Sequence, residues 1–297
     1  MAKRALRRVR VKACAKINLT LGVGPVRHDG YHQVRTVLQA IDLHDTLTLT
    51  ARPGPFTIAC SEPRIPTDSR NLIWKAAYEL SRAAGMTTVD GIEVRLDKRI
   101  PAEAGLGGGS ADAAATLRAL SVLWKLNLDG IALSSVARLV GADVPFFLVG
   151  GAAFGSGRGD DLFPLADIEP LHVVIVKPSF GVSTPAAYGW FDEDGGVQDA
   201  ARSLAAWPEA LLSVRNDLEP PVTRRHPQIA ELVALLEQSG SSAAAMSGSG
   251  SAVFGLFQSN LHAARAAKAA ASAGVTVLRA KTLDRAAFRR LTVAARA

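Results

Sequence analysis

The chain has 297 residues, 48% of them hydrophobic, which is enough for one large or two medium domains with real cores. Its formal net charge of +7 points to a polyanionic partner only until the charges are located: Lys3, Arg4, Arg7, Arg8, Arg10 and Lys12 lie in residues 1–12 with no acid among them, leaving 28 basic against 27 acidic residues in the body. The body is thus close to neutral, and the basic arm carries no interleaved aromatics to stack on bases, so a solvated terminus leading into a strand near Val9 is expected over an RNA-binding or membrane-binding tail.

Cys14 and Cys60 are far apart and belong to no CxxC or Cys/His cluster, which argues against structural zinc and for a reducing compartment. Apolar stretches such as residues 144–154 fall well short of the roughly 20 residues that span a bilayer. No secretory segment follows the basic start, and too few residues precede Lys16 for a transit peptide, so a cytoplasmic protein is expected.

In chain order, alternation predicts strands over residues 8–15 and 46–50, and a helix over 71–84 after a polar turn. Ile92, Val94 and Leu96 alternate with Glu93, Arg95 and Asp97 as in a half-buried strand, and Leu117, Leu120 and Trp124 recur at helical spacing. A helix over 131–140 closes at Gly141; a glycine-rich patch over 150–159 precedes a buried strand at 173–176, with a domain boundary near 155–165. The second half shows a helix at 228–238, a Gly/Ser loop at 247–251, a strand at 252–257 and an alanine-rich helix at 261–273. There is no internal repeat, and the absence of a regular βαβ rhythm favours an α+β fold, divided as residues 1–160 and 161–297.

Between the strand ending near Asp97 and the next helix runs PAEAGLGGGSADAA, residues 101–114, with Gly105, Gly107, Gly108 and Gly109 at the helix entrance. Glycines there let backbone approach a polyanion closely, while first-turn N–H groups and the helix dipole supply positive potential. Ser110 is placed to cap the helix, or to reach a phosphate oxygen or a metal-bound water. The loop lacks the lysine of a Walker A motif, and Ser110 stands where the dinucleotide fingerprint needs a third glycine, so it is a phosphate loop of another type. A flexible linker would lack the flanking strand and amphipathic helix.

Two further segments suggest catalysis. In Ala15-Lys16-Ile17-Asn18-Leu19, Lys16 and Asn18 share one strand face whose other face is apolar. At Gly141-Ala142-Asp143-Val144-Pro145, Asp143 follows a helix and is surrounded by apolar neighbours; it is either an ordinary helix-end acid or a carboxylate in need of a partner, for which Lys16 is a candidate.

Taken together, AKINL (15–19), RHDGYH (27–32), PAEAGLGGGSADAA, GADVPFF (141–147) and SGSGSAVF (247–254) resemble in order and spacing the GHMP kinase superfamily, over residues 11–260. The glycine loops are common to that superfamily, whereas AKINL, RHDGYH and GADVPFF are similar to its branch acting on a cytidyl diphosphate sugar alcohol of isoprenoid synthesis. The resemblance implies a two-domain fold, an N-terminal ribosomal-S5-like domain and a C-terminal α+β domain, with the active site in the cleft between them. It implies ATP and Mg²⁺ as cofactors, the metal ligands being left open, and transfer of the γ-phosphate to the substrate's 2-hydroxyl.

Under that resemblance, the loop from Pro101 through Gly105, Leu106, Gly107, Gly108, Gly109 and Ser110 to Ala111 wraps the ATP phosphates, with Lys98 and the Asn71-Leu72 pair near the adenosine. Asp143 accepts the hydroxyl proton and Lys16 holds Asp143 and stabilises the transferring phosphoryl group. Asn18 orients the sugar alcohol, Tyr31 stacks on cytosine and His32 bonds its edge. Thr184 and an aromatic, Trp190 or Tyr188, complete the substrate site, and Gly248 supports the phosphates from the second domain. Ala102-Glu103-Ala104 departs from a stretch that is often glycine-rich, and Glu103 brings an acid to the loop entrance. The implied partner is a small molecule, with neither nucleic acid nor membrane, and a monomer or homodimer. The alternatives are a GHMP kinase for homoserine, a sugar or a mevalonate derivative, and a non-catalytic RNA-binding module using the basic arm.

Overall fold

The computed structural model describes residues 7–196, 214–271 and 274–296. Lys3 and Arg4 of the basic arm and the last two residues of the alanine-rich helix expected at 261–273 lie outside the described residues.

Two long antiparallel strands form the spine, β1 (Arg8–Val26) and β2 (His32–Ala51), joined by the turn that holds the DGY residues. Both run far beyond the strands expected from alternation. Val9 and Val11 alternate with exposed Arg8 and Arg10, but residues 13–18 are all buried because packing covers both faces of β1 there. Arg8, Arg10 and Lys12 are therefore strand residues paired to β2, as expected for the start of the body.

The first sheet continues through β3 (Thr57–Cys60) and β4 (Ile92–Asp97), giving a path β1-β2-β4-β3. β5 (Ala152–Ser156) pairs with β2 and with β6 (Asp161–Pro164). Helices α1 (Leu72–Ala83), α2 (Gly108–Trp124) and α3 (Gly130–Val140) pack together, and with the short helix α4 (Phe146–Val149) they share one core with this sheet. Asn71 caps α1 by accepting from the Ile73 amide, and Asp129 caps α3 from the Ala132 amide.

The second sheet is antiparallel. Its inner strands are β7 (His172–Lys177) and β10 (Val253–Phe257), flanked by β9 (Ala243–Met246) and β11 (Thr276–Lys281). Between β7 and β9 come α5 (Thr184–Glu193), β8 (Arg215–Asn216), which pairs with β1, then α6 (Glu219–Arg225) and α7 (Gln228–Gln238). Helix α8 (Asn260–Ala271) packs on β7 and β11. One buried cluster joins the two sheets, with Ala15, Ile17 and Ile41 against Val173, Ile175 and Phe254. After β11 the chain returns to the first sheet: Phe288 of α9 (Arg285–Leu291) enters the first core, and β12 (Ala295–Arg296) pairs with β1. A division near residue 160 thus leaves α9 and β12 against the N-terminal sheet.

Candidate functional site

A cleft of about 560 Å³ lies where the two bodies meet, lined by the 101–110 loop, the middle of β1, residues 182–188 and the 248–250 turn. Its floor is built on β1. The pairing of β1 with β2 shifts register between Cys14 and Lys16 and again between Asn18 and Thr20, and such irregularities re-aim side chains beside functional sites. Lys16 and Asn18 emerge there together, the Lys16 ammonium donating to the Asn18 side-chain oxygen and, over 2.8 Å, to the Gly105 carbonyl. The expected pairing with Asp143 is present, Lys16 Nζ lying 3.9 Å from Asp143 Oδ2. Burial pushes the Lys16 pKa below its ordinary value, against the opposing pull of Asp143. Asp143 itself is partly open, with 42% of its side chain exposed, so it can meet a substrate.

The phosphate loop is pinned from both bodies. Gly105 has a φ of +69°, and a Cβ there would stand 1.8 Å from the Ser247 carbonyl oxygen, so only glycine fits. The Gly105 carbonyl accepts from Lys16 Nζ and, at 3.0 Å, from Ser247 Oγ. The Lys16 amide donates to Leu106 O, while the Ser251 and Ala252 amides donate to the carbonyls of Glu103 and Ala104. The 247–251 turn thus locks the loop, and Asn216 Nδ2 holds that turn by donating to Met246 O and Gly248 O. A Cβ at Gly248 would meet Gly105 O, Asn18 Oδ1 and Lys16 Nζ, so this residue sits against the loop from the second body.

Helix α2 begins at the glycines. Gly107, left-handed with a φ of +71°, is its N-cap, and no side chain caps it. Of the two roles open to Ser110, the cap is corrected: Gly108 and Gly109 already belong to the first turn, so Ser110 sits three positions past the N-cap and lines the cleft. Pro101, Leu106, Gly108 and Gly109 also line it, whereas Ala111 is buried behind the loop in the first core.

Lys98 lines the far side but its ammonium is engaged: it donates to Asp45 Oδ2 at 2.5 Å and to Asp112 Oδ2 at 2.8 Å, in a nearly buried triad. Asp45 Oδ1 also accepts the Arg99 and Ile100 amides, tying the strand end to the loop. Burial raises the Asp112 pKa well above the carboxylate range, with Lys98 opposing and Asp45 reinforcing. Burial works to lower the Lys98 pKa, but the two carboxylates outweigh it and the net direction is up. Neither acid of this triad was singled out in the sequence. Asn71 lines the cleft as expected, with both ends of its amide committed, Oδ1 to Ile73 and Nδ2 to Pro66 O.

The expected acceptor residues separate. Thr184, the first residue of α5, lines the cleft and shares a 3.1 Å hydrogen bond with Ser249 Oγ. Tyr188, one helical turn further, also lines it, and its phenol pKa is raised by burial and then by the Asp143 carboxylate. Trp190 is carried to another side of the helix, where it packs on His226 and under the Arg225 guanidinium; of the two candidate aromatics, the cleft receives Tyr188. His32, expected to bond the cytosine edge, approaches protein groups with both ring nitrogens. Its Nδ1 lies 2.9 Å from Gly24 O and its Nε2 3.3 Å from Asp192 Oδ2, and its ring stacks on Tyr188 at 5.2 Å. Tyr31 stands exposed at the rim with the Arg158 guanidinium 5.3 Å from its ring centre. Glu103, the acid at the loop entrance, adopts a φ of +50° and rests on Gly181, where a Cβ would meet its carboxylate.

A glycine loop at the entrance of α2 thus lies directly beside a buried lysine and a part-exposed aspartate, in a cleft between two bodies. The model of the GHMP kinases N terminal domain matches residues 71–151, and that of the GHMP kinases C terminal matches residues 197–276. A 4-diphosphocytidyl-2-C-methyl-D-erythritol kinase of Anaeromyxobacter dehalogenans (strain 2CP-C) is 43% identical, covering 92% of this chain and 90% of its own. The crystal structure of a 4-(cytidine 5'-diphospho)-2C-methyl-D-erythritol kinase superposes with a TM-score of 0.74 at 37% identity, covering 92% of this chain and 98% of that one. A homoserine kinase from Cytophaga hutchinsonii reaches the same TM-score at 17% identity, covering 100% and 99%, so fold likeness alone does not choose among acceptors. The chain belongs to the 4-diphosphocytidyl-2-C-methyl-D-erythritol kinase family of the GHMP kinases. It is an ATP-dependent kinase of the non-mevalonate route to isoprenoid precursors.

Proposed function

We propose that Asp143 and Lys16 carry out phosphoryl transfer from ATP, bound at the 101–111 loop, to the 2-hydroxyl of the cytidyl diphosphate methylerythritol. The observation that carries the assignment is the Lys16 ammonium, within hydrogen-bond reach of the Gly105 carbonyl and 3.9 Å from Asp143. The hydroxyl oxygen forms its bond to the γ-phosphorus as its proton passes to Asp143, and the bond from that phosphorus to the bridging oxygen breaks to release ADP. Phosphoryl transfer depends on positioning and charge stabilisation, which Lys16 and the first-turn amides of α2 supply. Asn18, fixed by Lys16 and by its donation to Thr36 Oγ1, orients the acceptor hydroxyls. Tyr31 and Tyr188 flank the base, with His32 holding the Tyr188 ring.

Magnesium fits this site. Among the described residues no three acids, histidines or cysteines form a metal cluster. Mg²⁺ with ATP needs only one or two protein oxygens, since phosphates and waters complete its shell. Asp112 lines the cleft with Oδ1 lacking any hydrogen-bond partner, and this oxygen would hold the ion, which neutralises charge on the phosphates when bound.

No helix among the described residues is long and apolar enough to cross a membrane, and Cys14 and Cys60 are free thiols. We take the location as cytoplasmic, the partners as two small molecules and the working form as a monomer or homodimer. The test is ADP release coupled to a recording enzyme, with the cytidyl diphosphate substrate against homoserine and mevalonate. Turnover is expected with the first alone; turnover of a control without the first would overturn the assignment.

A further inference from the structure

We propose that Arg158 is the cation that binds the diphosphate of the cytidyl substrate. The inference rests on the acceptor reading above, in which the base lies near Tyr31 and Tyr188 and the reacting hydroxyl near Asp143. A molecule laid out in that way must pass its diphosphate between those ends. Two phosphate charges leaving water for a partly enclosed cleft need a cation.

The basic side chains that line the cleft are Lys16, Arg70, Lys98 and Arg158. Lys16 is bound to Asn18, Gly105 O and Asp143 on the reacting side. Lys98 is held by Asp45 and Asp112. Arg70 pairs with Asp68 beside Asn71, where the adenosine is read to lie. Arg158 remains, and it stands on the acceptor side, over the Tyr31 ring.

Its setting suits that role. Arg158 occupies the turn between β5 and β6, flanked by Gly157 and Gly159, both at positive φ. Its Nη2 donates to Asp160 Oδ2 at 2.6 Å, and Asp160 is nearly buried, so one edge of the guanidinium is anchored. Among the described residues that is its only hydrogen bond, leaving the other N–H groups for a ligand, with 28% of the side chain exposed. An arginine fork held in this way presents paired donors matched to two phosphate oxygens. The Tyr31 ring beneath the guanidinium couples the base position to the diphosphate position. The glycine-rich turn, tied to β2 by the Val34 amide donating to Gly157 O, thereby becomes part of substrate selection.

The test compares binding of CDP and of cytidine to the full chain by titration calorimetry, for the unaltered protein, Arg158→Gln and Arg158→Lys. The unaltered protein is expected to bind CDP at least about tenfold more tightly than cytidine, the range of a charge-assisted contact. Arg158→Gln is expected to remove most of that ratio while cytidine affinity stays within about twofold, and Arg158→Lys to fall between. Steady-state kinetics should show KM for the cytidyl substrate rising about tenfold in Arg158→Gln, with KM for ATP unmoved. A ratio near one in the unaltered protein overturns the proposal without any variant. So does a glutamine variant that keeps the ratio, or one that weakens cytidine as much as CDP, which would make Arg158 only a support for Tyr31. Absence of turnover of the cytidyl substrate by the unaltered protein would instead overturn the acceptor reading, whatever the CDP ratio.

Discussion

The Lys16 ammonium bridges the Gly105 carbonyl and the Asp143 carboxylate, so one buried charge ties the phosphate loop to the acid beside the acceptor. Because Asp143 is part exposed and Lys16 is not, the lysine is the fixed member of the pair. Asp143→Asn keeps the size of the side chain and removes its capacity to take a proton. Turnover should fall by about 10²–10⁴, the usual contribution of a positioned general base, with ATP affinity within about twofold. Single-turnover measurement with saturating ATP checks this; near-normal kcat would remove Asp143 from the chemistry.

The proposed role of Lys16 predicts an alkaline limit to activity. Burial lowers its pKa below 10.5, so the free enzyme loses this charge at a pH where an exposed lysine keeps it. With the role proposed for Lys16, activity requires the ammonium, and log kcat/KM should therefore bend downward below pH 10.5. The stability linkage has the opposite sign. Between the lowered folded pKa and the unfolded value the unfolded chain binds more protons, so this group makes stability rise with pH in that window. Lys16→Arg stays charged throughout, and its weaker activity should show no bend in that range. A bend shared by both proteins would assign the limb to another group.

The loop glycines are not equivalent. At Gly107 the φ is +71° and a Cβ would lie 2.6 Å from Phe147 Cζ and 3.2 Å from Lys16 Cγ, so the obstruction is protein, not phosphate. Gly107→Ala should cost about 1–3 kcal/mol of stability through strain and overpacking. At Gly109 an added Cβ meets only Leu72 at 3.7 Å, and the residue faces the cleft. Gly109→Ala should melt within about 0.5 kcal/mol of the parent while losing ATP affinity, because its methyl group occupies phosphate space. Thermal melts with and without ATP separate the two. Equal melting of both variants, or ATP affinity kept in Gly109→Ala, would contradict the assignment.

What was legible in the sequence was local or carried by short spacing. The strand–glycine–helix order around residues 92–124, the helix at Gln228–Gln238 and the shared face of Lys16 and Asn18 each depend on residues near one another. The full lengths of β1 and β2 were hidden because burial on both faces erases alternation over residues 13–18. Lys98, expected near the adenosine, lines the cleft, but only folding brings Asp45, 53 positions away, within 2.5 Å of its ammonium. Ser110 was open between a cap and a phosphate contact because helix propensity cannot show that a left-handed glycine would cap α2 three residues earlier. Arg158 carried no motif, and only the approach of the β5–β6 turn to Tyr31 gives it a place.

The choice between Tyr188 and Trp190 illustrates the same point and can be measured. Both lie on α5, two residues apart and so on different faces, and the sequence offered no register for that helix. In the structure Tyr188 lines the cleft and stacks on His32, whereas Trp190 packs on His226 and Arg225. Tyr188→Leu should therefore raise KM for the cytidyl substrate about tenfold, since base–aromatic stacking contributes about 1–3 kcal/mol, with KM for ATP unchanged. Trp190→Leu should leave that KM within about twofold and lower the melting temperature through lost packing and the lost cation–π contact. Phosphoryl transfer assays and thermal melts on the two variants decide the matter. If Trp190→Leu raised KM and Tyr188→Leu did not, the cytosine would lie on the other face of α5, and the base pocket would have to be rebuilt around His226.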